Sequence, residues 1–335
     1  MKDTFLYTVN AITPILLLIV LGCFLRRVGP WSQDFYRQLN QLCFRVFLPV
    51  QIFCNVYAID DLSAMNWKVI LYIFCGILAC AGLGVAATHL FVKDHMQKGV
   101  IIQATFRSNQ SIVGLPLAEA LGGAGAMGFA ALTTAVSIPV FNVAAVITLI
   151  LCSSGQGQKP TPGSIARQVL HNPLIIGCMS GVILVILRQF LPVGADGLPV
   201  FMIQHQLAPL FDAMTRLSRV ASPVMLVVLG TRLDIKAAGN FLPQLSLGVF
   251  LRLVLAPALV IGGALLLREP LGLTTIEFPS LVTVTATPVA VSSAVMVQEL
   301  GGDEQLAGQI VVWTTILSAG TIFCIVYLLR FFGFL

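Results

Sequence analysis

The chain has 335 residues, of which 57% are hydrophobic and only 10% are Asp, Glu, Lys or Arg. Its mean hydropathy is +0.94. A water-soluble domain carries about 25% charged residues, so this composition excludes an ordinary soluble protein. The net charge of +5 is scattered over short connectors and gathers into no patch, which excludes a nucleic-acid partner.

Apolar stretches of about 20 residues, the length that crosses a hydrocarbon core about 30 Å thick, follow one another almost without pause. The pattern predicts ten membrane-spanning helices, at about 5–25, 38–57, 68–92, 99–121, 126–151, 173–192, 207–230, 241–267, 278–299 and 306–331. A cleaved signal peptide would be a single short apolar stretch at the N-terminus. The seventh span is the most polar, with Asp212, Arg216 and Arg219 in its first half. All eight cysteines lie in or beside apolar spans, without a C-x-x-C pair or a His cluster. They read as buried free thiols, and no metal site is expected.

Lys and Arg in the short loops set the orientation. Arg26, Arg27, Arg37, Lys93, Lys98, Lys159, Arg167, Arg232 and Lys236 fall on one side of the membrane, and Lys2, Lys68, Arg188, Arg268 and Arg330 on the other. The bias predicts a multi-pass protein of the cytoplasmic (inner) membrane with both termini outside the cytoplasm. The polar stretch from Ser153 to Gly163 is a flexible linker by composition. It divides the chain into a five-helix unit at 1–152, a cytoplasmic linker at 153–171 and a second five-helix unit at 172–335.

The two units carry matching marks in the same order. Arg45-Val46-Phe-Leu-Pro49-Val50 recurs as Arg219-Val220-Ala-Ser-Pro223-Val224. Pro116 follows Pro49 at nearly the distance at which Pro288 follows Pro223, and a Leu-Gly-Gly comes after each, at 121–123 and 300–302. Thr133-Thr134-x-x-Ser137 is echoed by Thr314-Thr315-x-x-Ser318. With an odd number of spans per half, the second half must run in the opposite direction. Such inverted repeats are widespread in secondary transporters.

Two predicted spans are interrupted by proline and polar residues. Proline removes a backbone donor and clashes with the preceding turn, and in lipid the freed backbone groups need partners or a water-filled cavity. Pro116 follows Arg107-Ser108-Asn109-Gln110-Ser111-Ile112-Val113-Gly114-Leu115, a polar run inside an apolar span. Pro288 lies between Thr283, Thr285 and Thr287 on one side and Ser292-Ser293 on the other. Gly114 allows close approach of backbone or ligand. The expected substrate site therefore comprises Asn109, Gln110, Ser111, Gly114, Pro116, Thr287, Pro288, Ser292, Ser293 and Arg107. Half-helix N-termini would offer N–H groups to an anion.

An intramembrane arginine normally faces a cavity or a partner. Arg107 is placed either to meet a carboxylate or to snorkel to the interface. Glu119, three residues past Pro116, is a candidate proton carrier, with a solvated helix end as the alternative. Arg45 and Arg219 read as helix-end residues, Arg252 and Asp212 as partners of other charges, and Glu299 as the end of the ninth span. No nucleophile–base pair and no G-x-x-x-x-G-K-[ST] loop is present, so neither an enzyme nor an ATP-driven pump is expected.

Asn109-Gln-Ser-Ile-Val-Gly114-Leu-Pro116-Leu117 is similar to the Asn…Gly-(Leu/Ile)-Pro-Leu segment of the auxin efflux carrier family. Further likeness lies in Leu39-Asn40 to Leu48-Pro49, Asn172-Pro173-Leu174, Ser222-Pro223-Val224-Met225-Leu226 with Leu229-Gly230, Pro288-Val-Ala-Val-Ser-Ser-Ala, and Thr314-Thr315-Ile-Leu-Ser318. The chain resembles the bacterial branch that includes malate and malonate permeases. That resemblance implies an all-α membrane fold of two inverted five-helix repeats whose fourth and ninth helices cross at their prolines. A transport unit would move, elevator-fashion, beside a scaffold of the first, second, sixth and seventh helices, and the protein would form a homodimer through that scaffold. The cargo would be a small carboxylate such as malate, malonate or an auxin-like acid, held by Asn109 and its neighbours. Plant members carry a second proline where this chain has Ser293, and a long loop between the halves, which points away from auxin itself. No cofactor is expected beyond H⁺ or Na⁺ as a coupling ion. The alternatives are a Na⁺ symporter resembling the bile-acid family, its ion held by Ser292, Ser293, Thr287 and Glu299, and a sensor or channel that kept the fold.

Overall fold

The computed structural model describes residues 2–58, 66–153, 161–192, 199–233 and 235–335. Among these the protein is helical throughout and has no β-strand. The helices are α1 (Lys2–Val28), α2 (Gln33–Tyr57), α3 (Trp67–Phe91), α4 (His95–Phe106), α5 (Gln110–Ser153), α6 (Pro162–Leu170), α7 (Pro173–Gln189), α8 (Ala208–Arg232), α9 (Ala238–Leu266), α10 (Phe278–Thr285), α11 (Ser292–Leu300) and α12 (Glu304–Phe331). Six of them, α2, α3, α5, α8, α9 and α12, are long and apolar enough to cross a membrane. Of the expected linker at 153–171, residues 154–160 lie outside the described residues and Pro162–Leu170 forms the short α6.

Side-chain caps start many of these helices. Asn66 accepts from Val69 N–H, Asp94 from Met96 N–H, Asn172 from Leu174 N–H and Asp303 from Leu306 N–H. Each satisfies a donor that the first turn leaves free. Within α5 the helix breaks at Gly122–Gly123, where Gly123 adopts φ +70°, a conformation open to glycine and strained for side-chain-bearing residues. The break separates the two spans predicted at 99–121 and 126–151.

Three prolines inside apolar helices share one device. A π-turn at Cys43–Phe47 precedes Pro49, one at Gln110–Gly114 precedes Pro116, and one at Leu251–Leu255 precedes Pro257. In each, the N–H two residues after the turn's fourth member reaches back five positions: Leu48 to Cys43, Leu115 to Gln110 and Ala256 to Leu251. The widened turn moves the carbonyl that a proline ring would strike. Pro116 therefore sits inside a continuing helix.

Close backbone approach fixes two crossings. Gly22 of α1 faces Gly230 of α8, so that a methyl on Gly22 would lie 2.9 Å from the Gly230 Cα. Gly177 of α7 rests on α2, where a methyl would lie 2.8 Å from the Pro49 Cα. Small residues let helix backbones pack this closely in membranes. Helices α1, α2, α7 and α8 pack on one another, and the broken segments around 107–109 and 286–291 lie beside them, against α5, α9 and α12.

Candidate functional site

The chain leaves helical geometry after Phe106, in the polar run of Ser and Asn residues that favour local side-chain bonds over helix. It leaves again after Thr285, just before Pro288. The two extended segments meet as an isolated antiparallel bridge between Ser108 and Val289. Asn109 N–H donates to the Pro288 carbonyl at 2.9 Å. The Ser108 and Thr287 hydroxyls lie 2.6 Å apart, and each also donates to the Thr283 carbonyl in the geometry observed. Val289 N–H donates to Thr314 Oγ1 at 3.2 Å. The crossing thus joins Ser108–Asn109 to Pro288–Val289. Pro116, expected to mark the crossing on its own helix, stands seven residues beyond Asn109 because the π-turn absorbs it without a break.

Arg252 holds the crossing from behind. It is only 1% exposed, and its guanidinium donates to the carbonyls of Thr287 (2.9 Å), Val284 (3.0 Å) and Thr105 (3.4 Å). The carbonyls of Thr105 and Val284 lie at the C-terminal ends of α4 and α10, where the helix dipole favours a cation, and that of Thr287 lies in the broken segment just beyond α10. The sequence pointed to a charged partner for Arg252; its partners are main-chain carbonyls.

In front of the crossing lies a cleft with a cavity volume of about 80 Å³. Arg107, Ser108, Asn109 and Ser111 line it from the first break, and Val291 and Ser292 from the second. Gln51 and Asn55 of α2, Ser222 of α8 and Asn142 of α5 complete its polar wall. Arg107 is 4% exposed, so it does not snorkel. It donates to Ser292 Oγ at 2.9 Å, to Asn142 Oδ1 at 3.1 Å and to the Met296 thioether, while its Nε has no partner. No carboxylate among the described residues reaches it. Asn109, 5% exposed, likewise has an unpartnered Nδ2. The first turns of α5 and α11 border the same space; within them Val113 N–H donates to the Asn109 carbonyl, and Ser293 and Ala294 N–H to those of Ala290 and Val291. A buried cation with only neutral partners is costly, and the unpartnered Arg107 Nε and Asn109 Nδ2 add two further donors to the cleft.

Of the expected site residues, Arg107, Asn109, Ser111 and Ser292 converge on the cleft. Thr287 and Pro288 belong to the crossing itself. Gly114 packs against α10, where a methyl would lie 2.8 Å from Thr283 Cβ. Gln110 turns toward Thr133 of α5 (3.5 Å) and Ser293 is buried beside Gln103, whose amide reaches the Ser293 carbonyl at 3.4 Å. Glu119 is exposed and lines no part of the cleft. The proposed sodium set does not converge: Glu299 accepts from Asn40 Nδ2 at 3.0 Å and lies seven residues, about 10 Å, along α11 from Ser292. Asp212 pairs with Arg216 at 2.8 Å on the exposed face of α8, Arg219 is exposed, and Arg45 lines a polar cavity with Arg37 and Glu299. Asn142, Asn55 and Gln51 went unnoticed in the sequence, and Ser222 was noted there only within a family-like segment, not as a cleft residue.

The protein is a bundle of apolar helices interrupted around a buried polar cleft that holds Arg107. Comparison with known proteins gives its class: the family model described as "Membrane transport protein" matches residues 7–326, and the chain belongs to this family, that of the auxin efflux carriers. It is also 22% identical over 319 residues to a protein of Methanothermobacter thermautotrophicus described as an uncharacterized transporter, covering 94% of this chain and 96% of that one. The protein is thus a multi-pass membrane transporter.

Proposed function

We propose that the chain is a secondary carrier of small organic anions, carboxylates of a few carbons such as malonate or malate. The observation that carries this reading is Arg107, buried in the cleft without a counter-charge and beside the orphan amide of Asn109. The cavity of about 80 Å³ is well below the ~300–1,000 Å³ typical of sites for drug-sized ligands, which favours small acids over bulky ones.

The mechanism we propose is an elevator movement of the broken helices beside a scaffold of α1, α2, α7 and α8, within two inverted five-helix repeats. The paired glycine crossings, α1 on α8 and α7 on α2, support this plan, since each joins the first helix of one half to the second helix of the other. Exposed Asp212, Arg216 and Arg219 on α8 support a homodimer packed through the scaffold, because a charge facing lipid costs at least about 2.5–3.5 kcal/mol. Both termini are placed outside the cytoplasm on the Lys/Arg bias.

A thermal-shift screen of mono- and dicarboxylates against the purified protein, with and without Na⁺, tests the cargo and the coupling ion together. Uptake of radiolabelled malonate into proteoliposomes tests the site. Arg107→Ala and Asn109→Ala are expected to abolish uptake while the protein stays folded, and unchanged uptake in both would place the site elsewhere.

A further inference from the structure

A second cavity, of about 410 Å³, opens at the end of the bundle that bears Arg26, Arg37 and Arg232. It lies end to end with the Arg107 cleft, and Met225 of α8 is the one lining residue common to both. The face of α8 shows the continuity. Ser222 lines the cleft, Met225 borders both spaces, and Leu229 and Arg232 line the outer cavity. Their spacing of three, four and three residues places them in one stripe along the helix. On the facing α11, Ser292 lines the cleft and Val295, three residues on and on the same face, lines the outer cavity.

Met225 is 2% exposed and packed in the apolar core between the two spaces. An unbranched thioether chain has three rotatable bonds and adapts its shape without backbone movement. The neighbouring wall at Ala294 is small. Met225 thus borders both the outer cavity, or vestibule, and the cleft that holds Arg107.

We infer that Met225 is the barrier between vestibule and site, and that its side chain limits the size of the acid admitted to Arg107. The inference rests on reading the Arg107 cleft as the carrier's substrate site. The vestibule carries Arg26 and Arg37 beside Asp34, with Arg232 paired to Glu304 at 2.8 Å, and rotation of the thioether opens the path along α8.

The test uses the full-length protein with Cys75→Ser and Cys324→Ser, which removes the exposed thiols, and Ser222→Cys as a reporter inside the cleft. Labelling by a negatively charged methanethiosulfonate is followed with and without a change at Met225, after subtracting the rate of the same protein lacking the reporter. Met225→Ala is expected to speed labelling about tenfold and Met225→Trp to slow it by a similar factor, as for a gate that controls access. Because the two changes act in opposite directions, failure of one variant to fold leaves the other decisive. Labelling rates equal to the parent would overturn the assignment. Malonate uptake is scored separately: its absence in the unmodified protein counts against the carrier reading, whereas unchanged labelling counts against Met225.

Discussion

Gly22 and Gly230 meet back to back where α1 crosses α8, with no room for a side chain on either. Helices in lipid gain little from excluding water, so close packing and interhelical polar contacts supply their association. Gly230→Leu and Gly22→Leu are each expected to destabilise the protein by about 1–3 kcal/mol through overpacking. The measurement is the thermal midpoint in detergent. A midpoint equal to wild type in both variants would show that the crossing does not depend on this contact.

Arg252 offers a different kind of loss. Its three carbonyl acceptors lie in the buried crossing, and a hydrogen bond to a charged group contributes about 1.5–3 kcal/mol. Arg252→Met is expected to lower the thermal midpoint sharply, and Arg252→Lys to recover only part of it because an ammonium lacks the planar fork. Full recovery by lysine would mean that charge alone, without the fork, holds the crossing.

Asn142 accepts from Arg107 within the cleft. Replacing it by aspartate would give Arg107 an internal counter-ion in place of an external one. Asn142→Asp is expected to raise the thermal midpoint and to weaken malonate binding by at least about tenfold, since two carboxylates then compete for one buried cation. Calorimetry reads the affinity, and tighter malonate binding would contradict the proposed role of Arg107.

Glu119 projects from the helix away from the cleft. Glu119→Gln is expected to leave the rate and pH profile of malonate uptake within about twofold of wild type, as for a surface change remote from the site. A loss of proton dependence in that variant would restore Glu119 as the coupling residue.

The part of the site legible in the sequence was the part that broke the hydropathy pattern. Arg107, Asn109 and Ser111 stand together in an otherwise apolar span, and Ser292 follows a proline in another. Asn142 gave no such signal, because one polar residue in an apolar helix is an ordinary packing device and only the fold reveals its face; Ser222 was lost among the other polar residues of its helix. Pairing Pro116 with Pro288 followed from spacing along the chain. A π-turn is invisible to such spacing, and it carries Pro116 past the crossing while Pro288 stays within it. The sequence divides into ten apolar stretches, whereas six helices of the described residues are long and apolar enough to cross a membrane; hydropathy reports an apolar stretch, not whether the chain stays helical along it, as the break between Phe106 and Gln110 illustrates.

The crossing of the two broken segments is fastened through the main chain, by the Asn109 N–H and the Pro288 carbonyl. No substitution at position 109 removes that bond, short of proline. The side chains that line the cleft can therefore be exchanged without dismantling the frame that presents them. Positions 55, 109 and 142 can thus change the chemistry of the cleft while the main-chain fastening of the crossing stays in place.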